Sequence, residues 1–127
     1  MATGLSSYLA DSFLDSLGNA SSFAVSTVYI QLHTANPGSA GTSSIALETS
    51  RSTASFASSS SGQITSDADV SWVAITGSET VLFFTAWDAS TSGNFLFSGS
   101  VTANPYTAGD TFTITSGSLT ASLTLAS

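Results

Sequence analysis

The stretch 79–101, ETVLFFTAWDASTSGNFLFSGSV, limits more than any other what this chain can fold into. In its first run Val81, Phe83, Thr85 and Trp87 share one parity, and Leu82, Phe84 and Ala86 share the other. Side chains alternate across a strand, so a run that is apolar on both parities predicts a strand covered on both faces. Residues 88–94 form a polar, glycine-containing connection, with Asp88 to satisfy loop amides and Gly93 to take up positive φ, which predicts a hairpin. The return run places Phe95, Phe97, Gly99 and Val101 on one face. Phe83, Phe84, Trp87, Phe95 and Phe97 are half of the chain's eight Phe and two Trp residues, so this hairpin is the expected centre of the core.

The remainder must complete one domain, because 127 residues are the size of a single domain with a real core. Without cysteine there is no disulfide framework and no thiolate metal site, so stability rests on packing and strand pairing. Arg51 is the one cation beside eight carboxylates and a single His, for a formal net charge of −7. Such a chain repels phosphate backbones, which excludes nucleic acid as a partner. Its low charge density suits permanent assembly better than life as a dilute monomer. The N-terminal residues lack the basic segment of a secretory signal, and the longest apolar run, 81–84, is far too short to span a bilayer. The expectation is a protein made in a cytoplasm and not inserted into a membrane.

Leu5, Tyr8, Leu9, Phe13, Leu14 and Leu17 form the stripe of a short amphipathic helix of about four turns, ended by Gly18-Asn19. The stripe is richer than a helix on the edge of one small sandwich requires, and the Ser/Ala-rich segment 19–26 reads as a tether. The expected division is therefore a docking helix over 1–18, a tether over 19–26 and a β-sandwich over 27–127, with the helix packing on neighbouring copies or on a larger particle. In 27–33, Val28, Ile30 and Leu32 alternate with Tyr29, Gln31 and His33, which predicts a strand with one buried and one more polar face. Pro37 and Gly38 end it, and 39–50 reads as a surface loop or an irregular edge. Residues 51–57 form a weak strand. In 63–75, Val70, Trp72 and Ala74 oppose Val73 and Ile75, Asn104-Pro105 begins a turn, and 110–115 and 118–125 are further strands. Six to eight short strands with turn residues between them predict a mainly β protein, an antiparallel β-sandwich of jelly-roll or Ig-like type with a short N-terminal helix.

Little here can perform chemistry. His33, the only imidazole, stands at a strand end beside a Pro-Gly turn, where a structural ring bonded to nearby backbone is expected rather than a general base. Asp67 and Asp69 lie two apart before a strand, as capping residues do; a cation site with Asp110 lacks the dense ligand spacing of calcium loops. Arg51 is expected to pair with a carboxylate, across a subunit boundary in an assembly. Trp72 and Trp87 could stack on sugars but sit within apolar alternation, as core residues do, with Trp72 the nearer to a surface. No enzyme activity, cofactor or metal is expected.

Three segments together resemble a known family. Leu32-His33-Thr34-Ala35-Asn36-Pro37-Gly38 is similar to the LHTADPG segment of small tail-fibre-like virion proteins of tailed double-stranded DNA bacteriophages. Trp87-Asp88-Ala89 with Gly93-Asn94 resembles their Gly-containing turn, and Ala108-Gly109-Asp110-Thr111-Phe112 their closing segment. Asn36 stands where Asp is usual, and the loop after Gly38 is rich in Ser and Thr. The resemblance implies a virion structural protein of the tail-fibre, minor tail or capsid-decoration kind. It also implies partners among other virion proteins, a homo-oligomer with threefold symmetry, and structural roles for His33, Pro37, Gly38, Trp87, Asp88, Gly93 and Asp110. A module binding host-surface glycan or another receptor is the alternative.

Overall fold

The computed structural model describes residues 3–126. One helix, α1 (Ser7–Gly18), precedes eight strands: β1 (Val28–His33), β2 (Ser52–Ala54), β3 (Gln63–Thr65), β4 (Val70–Trp72), β5 (Glu79–Trp87), β6 (Phe95–Tyr106), β7 (Phe112–Ile114) and β8 (Thr120–Ser122). The hairpin β5–β6 forms as its sequence dictates and lies in a four-stranded antiparallel sheet of order β2-β1-β5-β6. The second layer is a two-stranded ribbon in two stretches: β3 pairs with β8 and β4 with β7, both antiparallel. Ser66 bridges the interruption. Its amide donates to the Leu119 carbonyl at 2.9 Å, and its hydroxyl accepts from the amides of Gly117 and Leu119. Past β2 the chain crosses between layers, Phe56 bridging Ser66 while the Ala57 amide donates to the Thr65 carbonyl. Strands that change sheets in this way close the corner of a β-sandwich.

The core lies between the layers. Ile30, Leu32, Val81, Phe84, Ala86 and Phe97 of the sheet meet Val70, Trp72, Phe112, Ile114 and Leu119 of the ribbon. Two register shifts between β5 and β6 depart from simple alternation. The first, between Val81 and Phe83, leaves Val81 and Phe84 both buried and Leu82 exposed. The second brings Phe95 opposite Trp87, their rings 5.4 Å apart. Gly99 lies opposite Phe84, where a Cβ would stand 2.7 Å from the ring, so only glycine fits without displacing the core aromatic.

Several expectations need correction. The polar face of β1 is not exposed: Gln31 is 6 % and His33 0 % accessible, because residues 34–50 fold back over it. Trp72 is the deeper tryptophan rather than the nearer to the surface, at 3 % against 7 % for Trp87. Ala74 takes positive φ (52°), which reverses the alternation after β4 and turns Ile75 into the core. Asn104-Pro105 does not begin a turn; β6 runs through it to Tyr106. As an edge strand, β6 can include a proline that lacks an N–H. In 118–125 only Thr120–Ser122 is strand, and Leu123 and Leu125 are exposed.

Leu5 precedes the helix and forms a β-bridge with Phe97. Around it the Ser6 amide donates to the Leu96 carbonyl and the Ser98 amide to the Gly4 carbonyl, each at 2.8 Å. Ser6 also caps α1, its hydroxyl accepting from the Leu9 amide at 3.1 Å. Leu9 is buried against the sandwich. Residues 19–26 contain no helix or strand, but Phe23 packs edge-on against Tyr8 and Phe13.

Phe97 is 3 % accessible and meets Phe84 and Phe56 edge-on. Phe97→Ala is expected to cost about 3–5 kcal/mol of unfolding free energy, read from the denaturant midpoint. An unchanged midpoint would place the core elsewhere.

Candidate functional site

The residues of the first two motif segments, far apart in sequence, meet on the face of the β1–β5 pair that points away from the core. A carbonyl oxygen can only accept, so His33 donates from Nδ1 to the Ser43 carbonyl at 2.8 Å. The neutral ring then accepts at Nε2 from the Thr85 hydroxyl at 2.9 Å. Thr85 Oγ1 in turn accepts from Trp87 Nε1 at 2.7 Å. Every donor in this series points the same way, and His33 and Thr85 are both wholly buried. Burial pushes the imidazole below its ordinary pKa, with the charge of Arg51 acting in the same direction against the bond to Ser43. Both ring nitrogens are occupied internally, which leaves neither for a substrate.

The loop 34–45 is built from the first motif. The Asn36 side-chain oxygen accepts from the Gly38 amide at 2.9 Å, which is the turn an aspartate would make. Pro37 is fully buried and its carbonyl accepts from the Ser43 amide. Gly41 has positive φ, and a Cβ there would stand 2.8 Å from the Phe95 ring. The Ala46 amide returns to the Leu32 carbonyl, and Ala46 is buried.

At the other end of this face the Asp88 carboxylate closes its own loop, accepting from the Asn94 amide at 2.7 Å and from its side-chain amide at 2.9 Å. Gly93 (φ 79°) lies so close that a Cβ would meet Asp88 Oδ1 at 2.6 Å. Arg51 holds the same loop from outside. Its Nη1 donates to the carbonyls of Ala89 and Ser92, each at 2.8 Å, and its guanidinium lies 4.2 Å from the centre of the Trp87 ring. These hydrogen bonds go to carbonyls, with Asp88 contributing through its field. Burial raises the Asp88 pKa, but the bonds from Asn94 and the Arg51 charge outweigh it and hold the carboxyl below its usual range.

A second polar cluster escaped the sequence reading. Glu48, 8 % accessible, accepts from the Thr76 amide at 2.8 Å and from the Ser50 hydroxyl. Burial raises this carboxyl too, and the bonds from Ser50 and Thr76 overcome it to hold the pKa down. Glu79 accepts from the Leu47 amide and from the Tyr106 hydroxyl at 2.6 Å. Burial, then Glu79, push the Tyr106 phenol up. Nothing in a Ser/Thr-rich loop marks Glu48 as buried.

The acidic candidates are not brought together. Asp67 accepts from the Ser55 hydroxyl, Asp69 from the Ser116 amide at 2.8 Å, and Asp110 uses its carbonyl to accept from the Ile75 amide. No cluster of three or more His, Cys, Asp or Glu among the described residues could hold a metal ion.

The stripe of α1 divides. Leu5 and Leu9 face the sandwich, Tyr8 and Phe13 pack on Phe23 at the margin, and Leu14 and Leu17 point outward, 63 % and 84 % accessible. Beside the helix an apolar groove of about 720 Å³ runs between Leu9, Phe13 and Phe23 on one side and Phe56, Ile64 and Leu123 on the other.

A β-sandwich whose motif residues fasten a loop to a sheet, and whose helix presents an apolar outer end, has the character of a structural protein. The profile described as Podophage GP4 fiber I protein gp80 matches residues 4–122, and the chain belongs to that family. Membership makes it a fibre-type structural protein of the phage virion, associated with other virion proteins, and points to a non-enzymatic role. No curated protein matches the chain. Among the described residues no helix is long and apolar enough to cross a membrane.

The His33 shift sets a pH dependence. The folded pKa lies below the unfolded value of 6.5, so below pH 6.5 the unfolded chain takes up a proton that the folded chain refuses. The associated stability is present above pH 6.5 and is lost as pH falls toward the folded pKa. Glu48 and Asp88 act lower, below their ordinary 4.5 and 3.8. Between pH 6.5 and about 5 the melting temperature should therefore fall in the parent and fall less in His33→Gln. Equal slopes in the two proteins would show that His33 does not titrate with unfolding.

Proposed function

We propose that this chain stands on the surface of the phage particle and works through protein–protein assembly, with the sandwich as a rigid body and the outer end of α1 as a docking ridge on other virion proteins. The observation that carries this reading is the division of the helix. Its start is fastened to β6 by Leu5, Ser6 and Gly4, while Leu14 and Leu17 remain outside any packing of the domain. A ridge with an anchored base can transmit force to the sandwich, as a structural part must. Both tryptophans, the side chains that could have stacked on sugars, are buried.

The double variant Leu14→Asp/Leu17→Asp tests this without touching the core. Its stability should stay within about 0.5 kcal/mol of the parent, as surface changes do. Its abundance in purified virions, read by quantitative mass spectrometry, should fall at least about tenfold, the effect of some 1.4 kcal/mol of docking energy. Full incorporation of a folded variant would remove the ridge from the function.

A further inference from the structure

The excursion 34–45 leaves the end of β1 and returns beside it, where Ile45 bridges His33. It holds its own shape. The Thr34 amide donates to the Ser44 carbonyl, the Ser43 amide to the Pro37 carbonyl and the Gly41 amide to the Gly38 carbonyl. Of its residues only Pro37 and Gly41 are buried. The segment that follows is fastened separately, through Leu47 to Glu79 and through Glu48 to Thr76. Ile30, Leu32 and Phe84, which hold the sheet to the ribbon, lie on the other face. The excursion can therefore swing away with its turns intact while the sandwich stays closed.

His33 lies against this excursion and is wholly buried. Its neutral ring fits because the donors run one way: Trp87 Nε1 to Thr85 Oγ1, the Thr85 hydroxyl to Nε2, and Nδ1 to the Ser43 carbonyl. A second ring proton breaks that order. Nε2 would then aim a proton at a hydroxyl that already accepts from Trp87, and the hydroxyl's own proton would lose its acceptor inside a buried site. Nor would the cation find a counter-charge. On this face β5 and β6 present Phe83, Thr85, Trp87, Phe95, Ser98 and Ser100, and β1 adds Tyr29 and Gln31. Residues 34–47 contain no titratable side chain. Glu48 is engaged by Ser50 and Thr76, and Asp88 by Asn94. Arg51, whose charge does reach the ring, has the same sign.

We propose that the excursion 34–45 is an acid-released flap, which opens when His33 takes up a proton and leaves the sandwich folded. An imidazolium needs water, and the flap is the element that can admit it at least cost. β1 and β5 could expose the ring only by giving up their ladder and the core behind it. Opening also uncovers the Phe95 ring, against which Gly41 is closely set. The device is independent of what α1 docks on.

Amide hydrogen exchange of the full chain, read by mass spectrometry at a series of pH values and corrected for intrinsic rates, tests it. Protection over 34–45 should fall about tenfold for each pH unit between about pH 6 and 5. It should be lost at a pH where 80–86 is still protected. In His33→Gln the protection over 34–45 should no longer depend on pH in this range. The chain has one histidine, so its ring resonances are unambiguous, and in the parent the ring should titrate where flap protection is finally lost. Constant protection over 34–45 would overturn the proposal, as would loss at the same pH as 80–86, which is global unfolding. So would a ring that titrates while the flap stays protected, or the same pH dependence in a folded His33→Gln, which would assign the opening to a carboxylate.

Discussion

A strand that is apolar on both faces must be covered twice, and the rest of the structure depends on how β5 meets that demand. One cover is the ribbon of β3, β4, β7 and β8, which supplies Val70, Trp72, Phe112 and Ile114. The other is a loop. A loop laid over a sheet carries backbone groups that water would otherwise satisfy, and each buried one needs a partner. This requirement places the chain's unusual polar residues. His33 takes the Ser43 carbonyl, Gln31 donates to the Thr49 carbonyl at 3.2 Å, and Glu48 takes the Thr76 amide. Among the described residues no buried side-chain nitrogen or oxygen lacks a partner.

In a chain with few charges, the charged groups that are half-buried or buried act as fasteners. Arg51, Asp88 and Glu48 each carry the cost of partial desolvation, and each offsets it through several directed hydrogen bonds. Arg51 suits its place because a guanidinium can face Trp87 while its remaining N–H groups donate to two carbonyls, where a compact ammonium on a flexible stem is less well fitted to do both. The occurrence of LHTANPG together with WDA…GN thus has a physical basis. The first segment makes the cover, the second makes the end of the sheet to which the cover is fixed, and Gly41 lets the Phe95 ring close the gap between them.

Much of this was legible in the residues. The two-parity run of β5, the Asp88 turn, the alternation of β1 and the helix stripe all appear where expected, because each depends on local periodicity. The misreadings arise where a tertiary event changes the local rule. Residues 39–50 are largely exposed, with Ile45 bridged to His33 as an irregular edge, but nothing local marks Gly41, Ala46 and Glu48 among them as buried. The register shift after Val81 and the positive φ of Ala74 each swap the parity of the next residues along the strand, and neither residue type announces it. Leu5 fits a helical spacing yet lies before the cap, because Ser6 stops the helix there and the preceding backbone pairs with β6. The site was legible in its parts but not as one constellation, since its parts join only across the sheet.

The way Arg51 is held has a consequence outside the fold. Proteases of the trypsin class require a lysine or arginine side chain in a deep pocket and an extended segment of backbone beside it. This chain offers them a single bond, between Arg51 and Ser52. On one side of it the guanidinium is stacked on Trp87 and bonded to two carbonyls, and on the other Ser52 opens β2 and is already paired with Ile30. Cleavage therefore demands that the edge of the sheet and the Asp88 loop open together. Enzymes of that class thus find almost nothing to grip on this domain.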